Sequence, residues 1–197
     1  MAVDRSPVPL QAHARAEGRL VGDATQLPCR SKSLDVICAF DVLEHLDDDL
    51  GALREWRRVL ALGGWLVLTV PAYAQLWSRH DEVNGHRRRY RAPELRARLV
   101  ACGFSVARVT YFNTILLPGI ALLRWAQRFV PSPPAVRSAM PCGELDFQQR
   151  FPRWLERCCE AALQLEAWWL RRHTLPMGVS ICVIAQVPGG TNLKDTT

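Results

Sequence analysis

Residues 34–40 read LDVICAF, an apolar run without the alternation of a half-exposed strand. That pattern belongs to a strand covered on both faces, as in a parallel sheet flanked by helices. It restricts the chain to a layered α/β arrangement with this strand near the centre. Downstream of Asp47, Asp48 and Asp49, the apolar residues Leu46, Leu50, Leu53, Trp56, Val59 and Leu60 recur at three- and four-residue spacing, and Gly63-Gly64 supplies a stop. The spacing predicts an amphipathic helix with its acids at the positive end of the helix dipole. Residues 65–70 (WLVLTV) then form a second buried strand ended by Pro71. Strand, helix and strand make a right-handed crossover, which requires parallel strands.

The remainder of the chain extends this pattern. A helix begins at Pro93, carries Leu95, Leu99 and Cys102 on one side, and ends at Gly103, with a strand following over 104–111. Two long amphipathic patterns, 113–130 and 152–172, flank a proline-rich connection at 131–141 and read as a helical insertion or cap, 112–175, placed before the last strand. Strand pattern returns over 179–187, and 188–197 reads as a flexible tail. With 197 residues, 49% of them hydrophobic, the chain can bury one sizeable core, so 1–187 is expected to be a single domain.

The formal net charge of +6 comes almost wholly from arginine, since only Lys32 and Lys194 are lysines. The cluster Arg87, Arg88, Arg89 and Arg91 lacks zinc-finger spacing or an RNA-recognition signature, so no specific nucleic-acid partner is expected. Seven cysteines, odd in number and without a CxxC pair, read as reduced, buried thiols. No secretory signal is found at the N-terminus, and the longest apolar stretch, 114–123, is interrupted by Pro118 and Gly119 and is too short to span a bilayer. A cytoplasmic location is expected.

Three blocks sharpen the inference: GDATQLP at 22–28, SLDVICAFDVLEHL at 33–46 and RRVLALGGWLVLTVP at 57–71. Their order and spacing resemble the type 11 family of class I S-adenosylmethionine-dependent methyltransferases. The likeness continues through HDEVNGHRRRY at 80–90 and LPMGVSICVIAQ at 175–186. It implies a three-layer Rossmann-like fold with a mostly parallel sheet. The family's first strand and GxGxG turn have no counterpart here, so the sheet is expected to be incomplete at its N-terminal end.

The resemblance implies S-adenosylmethionine as cofactor and assigns it residues. Asp4 corresponds to the acid at the end of the family's second strand that binds the ribose hydroxyls. Asp23 and Ala24 take the adenine positions, and Phe40 and Asp41 lie beside the cofactor at the carboxyl edge of a buried strand, where open α/β sheets bind ligands. As a residue, Asp23 is also an ordinary turn aspartate. His45 is one helical turn beyond Asp41 and is either a general base toward a hydroxyl or a packing residue at the helix entrance. Tyr73, Trp77, His80 and Asp81, with Arg88 and Tyr90, form the expected acceptor-binding segment. The acids Asp41, Glu44, Asp47, Asp48 and Asp49 are read as helix N-terminal residues, and no metal is expected.

These assignments imply methyl transfer to a small-molecule or lipid-like acceptor, on oxygen. The alternative is a catalytically inactive methyltransferase-like remnant or binding module, motivated by the missing glycine loop. Trp125, Phe129, Trp154, Trp168 and Trp169 of the insertion line an apolar pocket, rest on a membrane surface as a peripheral contact, or are core. Oligomeric state is left open.

Overall fold

The computed structural model describes residues 2–4, 19–127 and 153–189. Strands β1 (Ala2–Asp4) and β2 (Arg19–Val21) pair in parallel as a separate two-stranded sheet. The main sheet is built from β3 (Leu34–Phe40), β4 (Leu60–Pro71), β5 (Ser105–Phe112) and β6 (Ser180–Gln186), in the order β3-β4-β6-β5. Helices α1 (Asp49–Val59), α2 (Arg79–Val83), α3 (Ala92–Ala101), α4 (Leu117–Gln127) and α5 (Arg153–Leu170) connect them.

The main sheet is mixed, which corrects the expected mostly parallel sheet. Only β3 and β4 pair in parallel; β6 runs antiparallel to β4 and to β5. The crossover through α1 fixes the β3–β4 direction, as the sequence pattern implies. The direction of β6 depends on how the chain returns after α5, and an alternation of apolar residues carries no sign of direction.

One face of the sheet holds the core. Leu66, Leu68 and Val70 of β4 and Ile181, Val183 and Ala185 of β6 are buried against Ala52, Leu53 and Trp56 of α1 and Leu95 and Leu99 of α3. Asp48 caps α1, its side chain accepting from the Gly51 amide at 2.7 Å. The other face is only partly covered: Val36 is 53% and Phe40 57% exposed, and Trp65 is also open. The expectation that β3 is buried on both faces therefore holds for one face only, and β3 is an edge strand of the main sheet instead of lying near its centre.

The helix α1 stops at Val59, and Gly63-Gly64 lies inside β4 instead of terminating the helix. The β3–β4 register jumps from Leu34↔Leu60 to Val36↔Trp65. Gly63 adopts φ +78, the left-handed region that favours glycine, and at Gly64 a Cβ would lie 2.9 Å from the Ala61 carbonyl oxygen and 3.1 Å from that of Asp35. Both glycines also bond to Val187, the residue after β6: the Gly63 amide donates to the Val187 carbonyl, and the Val187 amide to the Gly64 carbonyl, each at 2.9 Å.

The insertion supplies α4 and α5, while its connection at 131–141 and Phe129 lie outside the described residues, as does 190–197 of the tail. The Glu166 carboxylate of α5 accepts from the amides of Asn113, Thr114 (2.9 Å) and Ile115 (3.4 Å), holding the turn that leads into α4. Trp125, Trp168 and Trp169 do not form core here but are exposed, and the side chain of Trp154 lies outside the described residues. Six cysteines are described, all free, and Cys38 and Cys158 are exposed, contrary to the expectation of buried thiols. Among the described residues no helix is long and apolar enough to cross a membrane.

Candidate active site

Strand ends position the first group. Asp4 is the last residue of β1 and pairs with Val21 of β2, and β2 runs directly into the turn that carries Asp23. The Asp23 Oδ1 accepts from the Thr25 amide (2.8 Å) and hydroxyl (2.7 Å), and its carbonyl accepts from the Gln26 amide (2.9 Å). That is an Asx-type turn, so the local reading of Asp23 is realised whatever else it binds. The neighbouring Ala24 carbonyl takes the Trp56 indole N–H at 2.9 Å, which ties the turn to α1.

β3 ends at Phe40, and Asp41 follows it at the strand's carboxyl end. Asp41 adopts φ +51, a left-handed conformation uncommon outside glycine. Its amide donates to the Thr69 carbonyl (3.0 Å) and hydroxyl (3.2 Å), so β4 holds the turn in place. Asp4 ends β1 and Asp23 follows β2 in the two-stranded sheet, while Phe40 ends β3 in the main sheet with Asp41 next; the carboxyl ends of strands are where open α/β sheets bind nucleotides. Asp23 and Asp41 place carboxylates at these strand ends, groups that accept hydrogen bonds from hydroxyls and amines. Among the described residues no glycine-rich turn joins a strand to a helix, so none is seen there for the part of S-adenosylmethionine that such a turn holds.

Beyond Asp41 the backbone makes a 3-10 turn, Leu43–His45, fixed from outside by the Arg87 amide donating to the Glu44 carbonyl at 2.7 Å. Glu44 has no exposed surface, and neither carboxylate oxygen has a hydrogen-bond partner. Burial pushes its carboxyl up to about 8, with the Asp41 charge adding and Arg89 opposing. His45 is held below the ordinary imidazole range by burial and by His86, against the carbonyls of Gly85 and Asn84. The His45 and His86 rings meet edge-on, 4.7 Å between centroids. One carboxylate oxygen of Glu44 and one ring nitrogen each from His45 and His86 lie within 4.8 Å of one another.

His86 is itself oriented. Its Nδ1 lies 2.9 Å from Asp81 Oδ1, and Asp81, fully buried, accepts from Arg89 Nε (2.7 Å) and Nη2 (3.0 Å). The Asp81 carboxyl is held below its usual range: burial opposes this, but the Arg89 and His86 hydrogen bonds outweigh it. Sequence reasoning placed His86 only among the arginines of the basic run and did not join it to His45, because 41 positions separate the two and only the approach of the 80–90 segment to the 3-10 turn brings them together. Glu44 was grouped with the helix-terminal acids. Its signal was position: it precedes Asp48, the residue that caps α1, by four places and so lies outside the helix.

The expected acceptor segment divides in two. Tyr73, Trp77 and His80 remain at or near the surface: Tyr73 stacks on Tyr111 (5.3 Å, 8°), Trp77 is exposed, and His80 Nε2 meets Asn84 Nδ2 at 2.8 Å. Asp81 and Tyr90 reach no solvent, and their polar atoms are committed to protein partners. The Tyr90 hydroxyl donates to Asp49 Oδ2 at 3.0 Å, and burial raises its pKa. Arg88 donates to the Asp47 carbonyl (2.7 Å) and pairs with Asp49 Oδ2 (3.2 Å). Asp49, the buried acid at the start of α1, also accepts from Arg98 Nη1 at 2.8 Å. The basic run therefore spends Arg88 and Arg89 on internal carboxylates.

Residues 1–68 match the methyltransferase domain family model. Solved structures with the same fold include the methyltransferase held in complex with a methyltransferase activator from Haloferax volcanii (18% identity, TM-score 0.56, 94% of this chain and 70% of that one). A SAM-dependent methyltransferase from Archaeoglobus fulgidus (16%, 0.54, 93% and 74%) and the cyclase SpnF (19%, 0.50, 93% and 61%) share it too. At these identities the likeness shows the fold, an α/β methyltransferase-like one, and the cyclase shows that the fold alone does not select a reaction. No curated protein matches the chain. The resemblance to SAM-dependent methyltransferases read from the sequence is thus found both in the family model and in the fold.

Proposed function

We propose that the chain transfers a methyl group from S-adenosylmethionine to an oxygen atom of a small-molecule or lipid-like acceptor. The observation that supports this reading is the end of β3, where Phe40 and a left-handed Asp41 held by Thr69 of β4 lead straight into the turn that carries His45. In this reading Asp4 binds the ribose hydroxyls, Asp23 and the Ala24 amide bind adenine, and Phe40 and Asp41 flank the nucleoside. The sulfonium is a good leaving group, so the protein's main task is to align the accepting atom with the methyl carbon. His45 takes the proton of the acceptor hydroxyl as the new C–O bond forms. Tyr73, Trp77 and His80 form the acceptor side. The exposed Leu122, Trp125, Leu165 and Trp168 of the insertion helices supply the apolar surface that a lipid-like acceptor, or a membrane presenting it, requires.

The test is calorimetric titration of the purified chain with S-adenosylmethionine, beside Asp23→Ala and Asp41→Ala. Saturable 1:1 binding, weakened roughly tenfold or more in both variants, is the expected result. A folded wild-type chain that binds no S-adenosylmethionine rejects the proposal. The second reading, a methyltransferase-like module without activity, is favoured by the lack of a glycine-rich turn among the described residues, and it predicts that negative outcome.

A further inference from the structure

The geometry points to a divalent-metal site formed by the Glu44 carboxylate and the imidazoles of His45 and His86, of the nitrogen-rich kind that late first-row ions such as zinc occupy. Three features of the cluster converge on it.

The first is Glu44. A carboxyl group with no exposed surface and no hydrogen-bond partner on either oxygen is costly in any protonation state, because both acceptors have lost water and gained nothing. Arg89, whose charge acts on Glu44, spends its Nε and Nη2 on Asp81 and its Nη1 on the Ala72 carbonyl. A cation bound at Glu44 resolves the imbalance.

The second is the preparation of the imidazoles. His86 donates Nδ1–H to Asp81 Oδ1 at 2.9 Å, which leaves Nε2 with its lone pair. A carboxylate behind a histidine, itself clamped by an arginine, is the outer-shell arrangement that fixes the tautomer of a metal-binding imidazole and raises its basicity. The His45 ring meets that of His86 edge-on, 4.7 Å between centroids, which brings the second imidazole to the same place.

The third is distance. The three donor atoms lie within 4.8 Å of one another. A tetrahedral zinc ion with bonds of ~2.0–2.1 Å places its ligand atoms about 3.4 Å apart, so closing the site takes side-chain rotations on the order of an ångström. A set of two histidines and one carboxylate leaves a coordination position for water or for an oxygen of the acceptor. Glu44 forms the buried end of the cluster and His45 the end that reaches solvent. This last consequence rests on the methyl-transfer reading: the ion, in place of His45, would lower the pKa of the acceptor hydroxyl. The binding of the metal does not depend on that reading.

The experiment is titration of the chelator-treated full chain with Zn2+ alone, followed calorimetrically, beside Glu44→Gln and His86→Gln, with Mg2+ as the oxygen-preferring comparison. Free cysteines such as Cys38 and Cys158 also take zinc, so the variants carry the comparison. One site lost or weakened roughly tenfold or more in each variant, and no corresponding Mg2+ binding, is expected. Zinc isotherms unchanged in both variants overturn the proposal. Should either variant fail to fold by circular dichroism, Co2+ substitution in the wild type decides. Ligand-field bands without thiolate charge transfer support histidine and carboxylate donors, and a thiolate-only spectrum rejects them. Because S-adenosylmethionine binding is measured separately, loss of one result leaves the other standing.

Discussion

Arg89 grips Asp81 side-on, Nε to Oδ1 at 2.7 Å and Nη2 to Oδ2 at 3.0 Å, with the carboxylate fully buried beneath it. The same carboxylate caps α2 through the Ser78 amide (2.8 Å) and orients His86, so one buried acid joins a helix start, a basic segment and the site. Removing the guanidinium leaves the charge without compensation. Arg89→Ala is expected to cost about 3–5 kcal/mol of folding stability in urea denaturation. Asp81→Asn, which removes the charge but keeps a hydrogen-bonding group, should cost less; equal losses would show that the pair matters through packing alone.

Tyr90 and Asp49 make a second buried junction, at 3.0 Å. Asp49 keeps Arg98 and Arg88 when the hydroxyl is removed, so Tyr90→Phe should cost about 1–3 kcal/mol, the range for a hydrogen bond to a charged group. Since the ring reaches no solvent, the variant's affinity for S-adenosylmethionine and its KM for any acceptor should stay at wild-type values once the chain is folded. A raised KM with unchanged stability would return Tyr90 to the acceptor site, where the sequence alone had placed it.

How far the sequence reaches can be argued from these residues. LDVICAF and WLVLTV declare strands because their apolar runs leave no helical face, and Leu53, Trp56 and Val59 declare the helix between them by spacing. Such patterns are local, and the structure realises them to within a few residues. Gly63-Gly64 is ambiguous at that range: a glycine pair ends a helix or bulges a strand, and the pairing of β4 with β3 and β6 decides. Asp81, Arg88, Arg89 and Tyr90 look like a surface clamp in one dimension. Asp49 and Asp81, arriving from elsewhere in the fold, turn them inward. The Glu44–His86 contact has no sequence period at all.

Gly178 shows the same limit, since nothing in LPMGVS marks its glycine as indispensable. A Cβ there would lie 2.3 Å from the Phe112 carbonyl oxygen and 2.9 Å from its carbon, both backbone atoms at the end of β5. Neither can rotate away, so Gly178→Ala must move β5 from the start of β6. A loss of about 2–3 kcal/mol or more is expected in thermal or chemical denaturation. Gly85→Ala, at φ +70 with nothing within 4 Å, meets no such contact and should cost only about 1 kcal/mol of backbone strain. If the two variants lose equal stability, the close approach at Phe112 is not what selects glycine.

The last prediction concerns acid. Glu55 of α1 accepts from the Leu27 amide (2.8 Å) and from Arg58 Nε and Nη2 (2.7 Å each), while Arg58 Nη2 also donates to the carbonyls of Leu27 (3.2 Å) and Cys29 (3.0 Å). The pair therefore fastens the segment that follows Asp23 and Ala24 to α1. The Arg58 hydrogen bond holds the Glu55 carboxyl below its ordinary value, burial working against it. With the folded pKa depressed, the unfolded chain binds the proton first as pH falls. The contribution is fully present above the unfolded value near 4.5 and is lost as pH drops through the folded one. Because Arg58 is largely open to water, the effect is expected to stay within about 1 kcal/mol. Glu55→Gln should flatten the acid limb of the stability curve by that amount, measured by denaturation between neutral pH and the acid transition. The same variant should weaken S-adenosylmethionine binding a few-fold at neutral pH if Asp23 and Ala24 hold adenine. Stability lost without any change in affinity would separate the 22–28 turn from the cofactor.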